Sequence, residues 1–118
     1  MKIEKLCSCT VKGSKDYNRI EEMEKFLQVL SDRTRLKILC LLKNDELNVK
    51  NIYHQLGIKQ TLASHHLTQL KKLKLLKERK SGASTFYSID SKKFEKHCKT
   101  LGEMIELDLM SKNCCSDK

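Results

Sequence analysis

The chain contains no proline and only 4 glycines in 118 residues, which excludes collagen-like, mucin-like and proline-rich linker classes. Long hydrophobic runs are missing too. The longest unbroken apolar stretch is Ile38-Leu39-Cys40-Leu41-Leu42, far short of the ~20 residues a membrane helix needs. The opening Met1-Lys2-Ile3-Glu4-Lys5 interleaves charge with apolar residues and has no signal-peptide core, so a cytoplasmic protein with no membrane partner is expected. There is no Cys-x-x-Cys ahead of a helix, no phosphate-binding glycine loop and no nucleophile–base pairing, so no enzyme is expected.

What the chain does have is positive charge, in one place. Lys plus Arg number 24 against 15 Asp plus Glu, a formal charge of +9. Residues 47–100 hold 12 basic and 3 acidic side chains, whereas 1–46 carry +2 and 101–118 carry −2. A confined cationic block suits a polyanion, either nucleic acid or an anionic membrane surface. Six cysteines stand at 7, 9, 40, 98, 114 and 115. In a reducing compartment they are expected as thiols rather than disulfides.

Hydrophobic spacing is helical for most of the length. Ile20, Met23, Leu27 and Leu30 form one stripe, with Leu36, Leu39 and Leu42 as the inner face of a second helix. Val49, Ile52, Tyr53 and Leu56 mark a third helix, ending at Gly57. A fourth, from Gln60 to Leu73, places Ala63, Leu67, Leu70 and Leu73 inward. Helix, tight glycine-containing turn, helix is a helix-turn-helix. The period then changes: Leu75–Lys80 and Thr85–Ile89 read as a β-hairpin around residues 81–84. A last helix from Ser91 to Leu109 carries Phe94, Cys98, Leu101, Ile105 and Asp108 at a/d-type steps suited to a partner helix. The expected fold is mainly α with a β-hairpin wing, a winged helix-turn-helix dimerising through its first and last helices. Residues 1–15 form an N-terminal arm, 16–110 the DNA-binding and dimerisation domain, and 111–118 a tail.

With Ala63, Leu67 and Leu70 inward, Gln60, Thr61, Ser64, His65 and Gln69 point outward. These short or planar side chains both donate and accept hydrogen bonds, as readers of major-groove base edges must. Lys71 and Lys72, near the end of that helix, are placed for phosphates, and Lys77, Arg79 and Lys80 of the hairpin form an arm for the flanking backbone or minor groove. Basic residues gathered on a helix-turn-helix and hairpin, rather than opposite one broad apolar face, favour duplex DNA over a membrane surface.

Asp32-Arg33-Thr34-Arg35-Leu36-Lys37-Ile38-Leu39, Ala63-Ser64-His65-His66-Leu67 and Phe86-Tyr87-Ser88-Ile89 together resemble the ArsR/SmtB family of metal-responsive repressors, over about residues 20–108. The resemblance implies a homodimer that binds a palindromic double-stranded operator and releases it when an inducer binds. One departure is Lys74, where the family usually has glycine between recognition helix and wing.

Two of the family's ligand sites are missing. A Cys-x-Cys pair in the helix before the turn is replaced by Asn48-Val49-Lys50, and a His/carboxylate set on the last helix by Ser91, Lys93, Met104 and Leu107. The remaining candidates are thiols. Cys7 and Cys9 resemble the N-terminal cysteines of the cadmium- and lead-sensing branch, and Cys114 and Cys115 follow the last helix as in some arsenite-sensing members. With Cys98 they form a candidate set for As(III), Cd(II), Zn(II) or Cu(I) as inducer. Ile38-Leu39-Cys40 is similar to the persulfide- and redox-sensing branch, giving Cys40 with Cys98 as a redox alternative. Core packing is the plainer reading of Cys40 and Cys98, and an effector-independent regulator is a third alternative.

Overall fold

The computed structural model of the chain describes residues 10–110, with side chains through residue 105. Its elements run α1 (Lys15–Leu30), α2 (Arg33–Leu41), β1 (Leu47–Asn48), α3 (Val49–Leu56), α4 (Gln60–Lys72), β2 (Leu76–Ser81), β3 (Ser84–Ile89) and α5 (Ser91–Met110). The expected order of helices and hairpin is present, and β1 adds a third strand. The antiparallel sheet has the order β1-β3-β2, with Asn48 and Arg79 both opposite Phe86. A pair of residues is too short to show a strand's alternation in sequence; Leu47-Asn48 is a strand because it pairs along one edge of β3. The hairpin closes through Gly82 and Ala83, with Gly82 at φ 64. That geometry matches the right-handed twist of the flanking strands and is open to glycine at low cost.

Residues 28–95 form one compact unit, and the described residues before and after them, 10–27 and 96–110, form another. The core of the 28–95 unit is built from Ile38, Leu39, Leu42, Ile52, Ala63, Leu67, Leu70, Leu75 and Leu76. Each large aliphatic among them contributes about 1.5–3 kcal/mol by leaving water. The inner face of α2 differs from the spacing argument. Ile38 is fully buried, whereas Leu36 is 50% exposed. Leu39 and Leu42 of the expected face are buried, and Ile38 takes the place of Leu36 beside them. Cys40 is exposed on α2 and is not part of that core.

In the other unit, α1 buries Met23 and Phe26, while Ile20 and Leu27 are exposed. Phe26 stacks on His97 of α5 at 4.7 Å between ring centroids, and Arg19 lies 3.8 Å from Glu103. Ile105 is 55% exposed and Cys98 is exposed as well, so neither of these seam positions is buried by the described residues.

Helices α3 and α4 end in the same hydrogen-bond pattern with different residues. After α3, Gly57 N–H donates to His54 O and Ile58 N–H to Tyr53 O; after α4, Lys74 N–H donates to Lys71 O and Leu75 N–H to Leu70 O. Both are paired closures that need one left-handed residue, Gly57 at φ 66 and Lys74 at φ 58. Lys74 is the one non-glycine residue at positive φ among the described residues. Its Cβ crowds the following carbonyl, a cost that burial of Leu70 and Leu75 offsets.

The pair of closures provides an internal comparison. Lys74→Gly should stabilise the protein by about 0.5–1 kcal/mol, and Gly57→Lys should destabilise it by about 1–2 kcal/mol. Urea unfolding curves measure both. A destabilised Lys74→Gly variant would contradict this account of the turn.

Candidate nucleic-acid interface

Side chains of α4 divide into two faces. Ala63, His66, Leu67 and Leu70 are buried. Gln60, Thr61, Ser64, His65, Lys71 and Lys72 are exposed, as the spacing predicts, and Gln69 is half-buried. Thr68 also belongs to the outer face and was missed in the sequence. Thr61, His65, Thr68 and Lys72 follow steps of 4, 3 and 4, so the signal was there in the period. The Thr68 hydroxyl donates to Ser64 O at 2.9 Å, which turns its oxygen back onto the helix. Leu62 is a second unforeseen member, an apolar side chain left 42% exposed among polar ones.

The wing is held by one non-local clasp. Arg79 of β2 extends across β3, its guanidinium 5.0 Å above the centre of the Phe86 ring. It ends in a fork on Glu46, with Nε donating at 3.0 Å and Nη2 at 2.9 Å. The fork holds the Glu46 carboxyl below its ordinary range and raises the Arg79 guanidinium. Lys71 is ion-paired with Glu78 of β2, a hydrogen bond that raises its pKa and ties the end of α4 to the wing. Two cations expected at phosphates, Arg79 and Lys71, therefore already have carboxylate partners. Lys72, Lys77 and Lys80 are exposed and make no ion pair among the described residues.

A polar contact anchors α4 from behind. Asp32 caps α2 by accepting from Arg35 N–H at 3.0 Å, which keeps its carboxyl below the usual value. Arg35 Nη1 lies 3.2 Å from Nδ1 of His66, which is only 6% exposed. Burial pushes the His66 pKa down, Arg35 and His65 push the same way, and Asp32 opposes them.

Of the thiols, Cys40 and Cys98 are free and exposed. Cys7, Cys9, Cys114 and Cys115 lie outside the described residues. Among the described residues no three His, Cys, Asp or Glu side chains gather into a metal-binding group, and no helix is long and apolar enough to cross a membrane.

A family model described as bacterial regulatory protein, arsR family, matches residues 32–78, the segment from the cap of α2 into β2. The chain is similar to the transcriptional activator HlyU of Vibrio cholerae, 33% identical over 79 residues that cover 61% of this chain and 73% of that protein. It is also similar to the cadmium resistance transcriptional regulatory protein CadC homolog of Staphylococcus aureus. That match is 37% identical over 83 residues, 70% of this chain and 65% of the other. In three dimensions it is similar to reduced HlyU from Vibrio cholerae, with a TM-score of 0.61 and 25% identity over 80% of this chain and 95% of that one.

The buried histidine makes stability depend on pH. The unfolded chain takes up a proton on His66 near its ordinary value of 6.5, while the folded chain takes it up only at lower pH. Stability from this group is therefore complete above about pH 6.5 and is lost as pH falls toward the folded value. Asp32 adds a second loss further down, beginning near 3.8. Melting temperatures between about pH 7.5 and about pH 5.5 should fall in the wild type and fall less in His66→Asn. Equal slopes would contradict the assignment.

Proposed function

The chain belongs to the ArsR family of bacterial regulatory proteins, and from that premise we propose that it is a transcriptional repressor that binds double-stranded operator DNA through α4 and the wing. The outer face of α4 carries this reading. Gln60, Thr61, Ser64, His65 and Gln69 supply donors and acceptors at the spacing of successive base edges. Lys72 and Lys80 supply charge for phosphates, with Lys71 and Arg79 shared between DNA and their carboxylate partners. The protein acts as a homodimer on a palindrome, with half-sites about one helical turn apart. Ile20, Leu27 and Ile105, apolar and exposed on α1 and α5, support pairing through those helices.

The inducer is a thiophilic metal or metalloid of the As(III), Cd(II), Zn(II) or Cu(I) class, held by thiolates drawn from Cys7, Cys9, Cys98, Cys114 and Cys115. Support comes from the soft-donor chemistry of that set, from the accessible Cys98 thiol, and from similarity to a cadmium resistance regulator. The ion, when bound, would supply a crosslink between thiolates. A second reading, a redox or persulfide switch through Cys40 and Cys98, is favoured by the exposure of both thiols.

Fluorescence anisotropy of the reduced protein on the DNA preceding its own gene tests both parts. Lys72→Gln and Lys80→Gln should weaken binding on every sequence and each lower the salt dependence by about one phosphate contact per protomer, about two for the dimer. Gln60→Ala should cost about 1–3 kcal/mol on the preferred sequence and relax its specificity. Equal losses on preferred and scrambled duplexes would contradict base reading by α4. Adding arsenite, Cd(II), Zn(II), Cu(I) and a persulfide donor in turn should release DNA with one class only; release by none would overturn the sensor reading.

A further inference from the structure

A guanidinium carries five N–H donors and no acceptor. At 3.2 Å from Arg35 Nη1, Nδ1 of His66 must therefore offer its lone pair. A hydrogen bond there requires His66 to be a neutral imidazole with its proton on Nε2. Arg35 is itself held at two other points. Its Nε donates to Val29 O, in the last turn of α1, at 2.6 Å, and its backbone N–H donates to Asp32 Oδ1 at 3.0 Å. One side chain thus joins the α1–α2 corner to the middle of α4.

Resting on the DNA-binding reading above, we propose that Arg35 and His66 are positioning residues for α4, and that the protein binds its operator only while His66 is neutral with Nδ1 free to accept. Protonation places an N–H on Nδ1 facing the N–H of Arg35, so two donors and two positive charges meet in a site where the ring is 6% exposed. The bond is lost outright rather than weakened. Arg35 is constrained by Val29 and Asp32, so the adjustment falls on α4. His65, adjacent in the chain with its ring centre 5.6 Å from that of His66, stands on the outer face, so a shift of the buried ring displaces a reader. Asp32 of α2 favours the charged ring, Arg35 and His65 oppose it, and α3 and β2, which also pack on α4, contribute no acting charge among the described residues.

The test is operator affinity as a function of pH, measured by anisotropy on the DNA preceding the gene, for wild type, His66→Asn and His65→Gln. Asparagine keeps an acceptor oxygen for Arg35 and does not titrate. Wild type and His65→Gln should lose about tenfold in affinity per pH unit for each protomer engaged, about a hundredfold for the dimer, once His66 protonates. His66→Asn, set against its own affinity at about pH 7.5, should stay flat to about pH 5.5. The wild-type nitrogen NMR spectrum, which needs no variant, should show Nδ1 unprotonated and Nε2 protonated at about pH 7.5. Parallel acid losses in wild type and His66→Asn, a flat wild-type curve, or a proton on Nδ1 would each overturn the proposal. No duplex binding at any pH would instead overturn the DNA-binding reading, and this inference with it.

Discussion

Burial of one side of α4 decides which of its residues are left to meet a ligand. Ala63 and Leu70 are fully enclosed and Leu67 nearly so, and turning the helix by one residue would carry these apolar groups into water at about 1.5–3 kcal/mol for each leucine. The helix therefore has one rotational setting. In that setting Thr61, His65, Thr68 and Lys72 form the outermost row, flanked by Ser64 and Lys71 on one side and Leu62 and Gln69 on the other. Hydrophobic packing alone fixes the rotation but specifies axial position weakly. The directional Arg35–His66 bond and the paired hydrogen bonds after Lys72 supply that second constraint.

Charge in the basic block divides by use. Arg79 and Lys71 serve structure first, one clasping the sheet across Phe86 to Glu46 and the other tying α4 to β2. Exposed pairs of this kind add little to stability, but they orient the hairpin relative to α4 within the same unit. Lys72, Lys77 and Lys80 are the cations of α4 and the hairpin strands that make no ion pair among the described residues. A phosphate approaching Arg79 or Lys71 competes with a carboxylate already in place, so the wing contributes less raw charge to DNA than its sequence suggests.

Much of this was legible in advance where physics is local. The α3 terminus at Gly57, the start of α4 at Gln60 and the hairpin follow from spacing, glycine placement and β-branched residues, and the structure has each of them. Lys74 stood out in the sequence only as a departure from glycine, and its φ of 58 shows that the turn is left-handed all the same. What escaped is non-local. β1 is defined by its partner rather than its composition, Glu46 meets Arg79 across 33 residues and His66 meets Arg35 across 31. The choice between Leu36 and Ile38 in α2 was likewise a question of which neighbour had room. Cys40 looked like core because leucines flank it, yet in a helix those neighbours point elsewhere, and the thiol is exposed.

The central claim is that α4 and the wing meet DNA through side chains that packing leaves outward. Amide chemical-shift mapping of the full chain, titrated with the duplex that precedes its gene, tests it most directly. Perturbations should concentrate at residues 60–72 and at the hairpin tip around Lys80 to Ala83, with the outermost row of α4 shifting most. Shifts confined to α1 and α5, with α4 and the wing unmoved at saturation, would contradict the account.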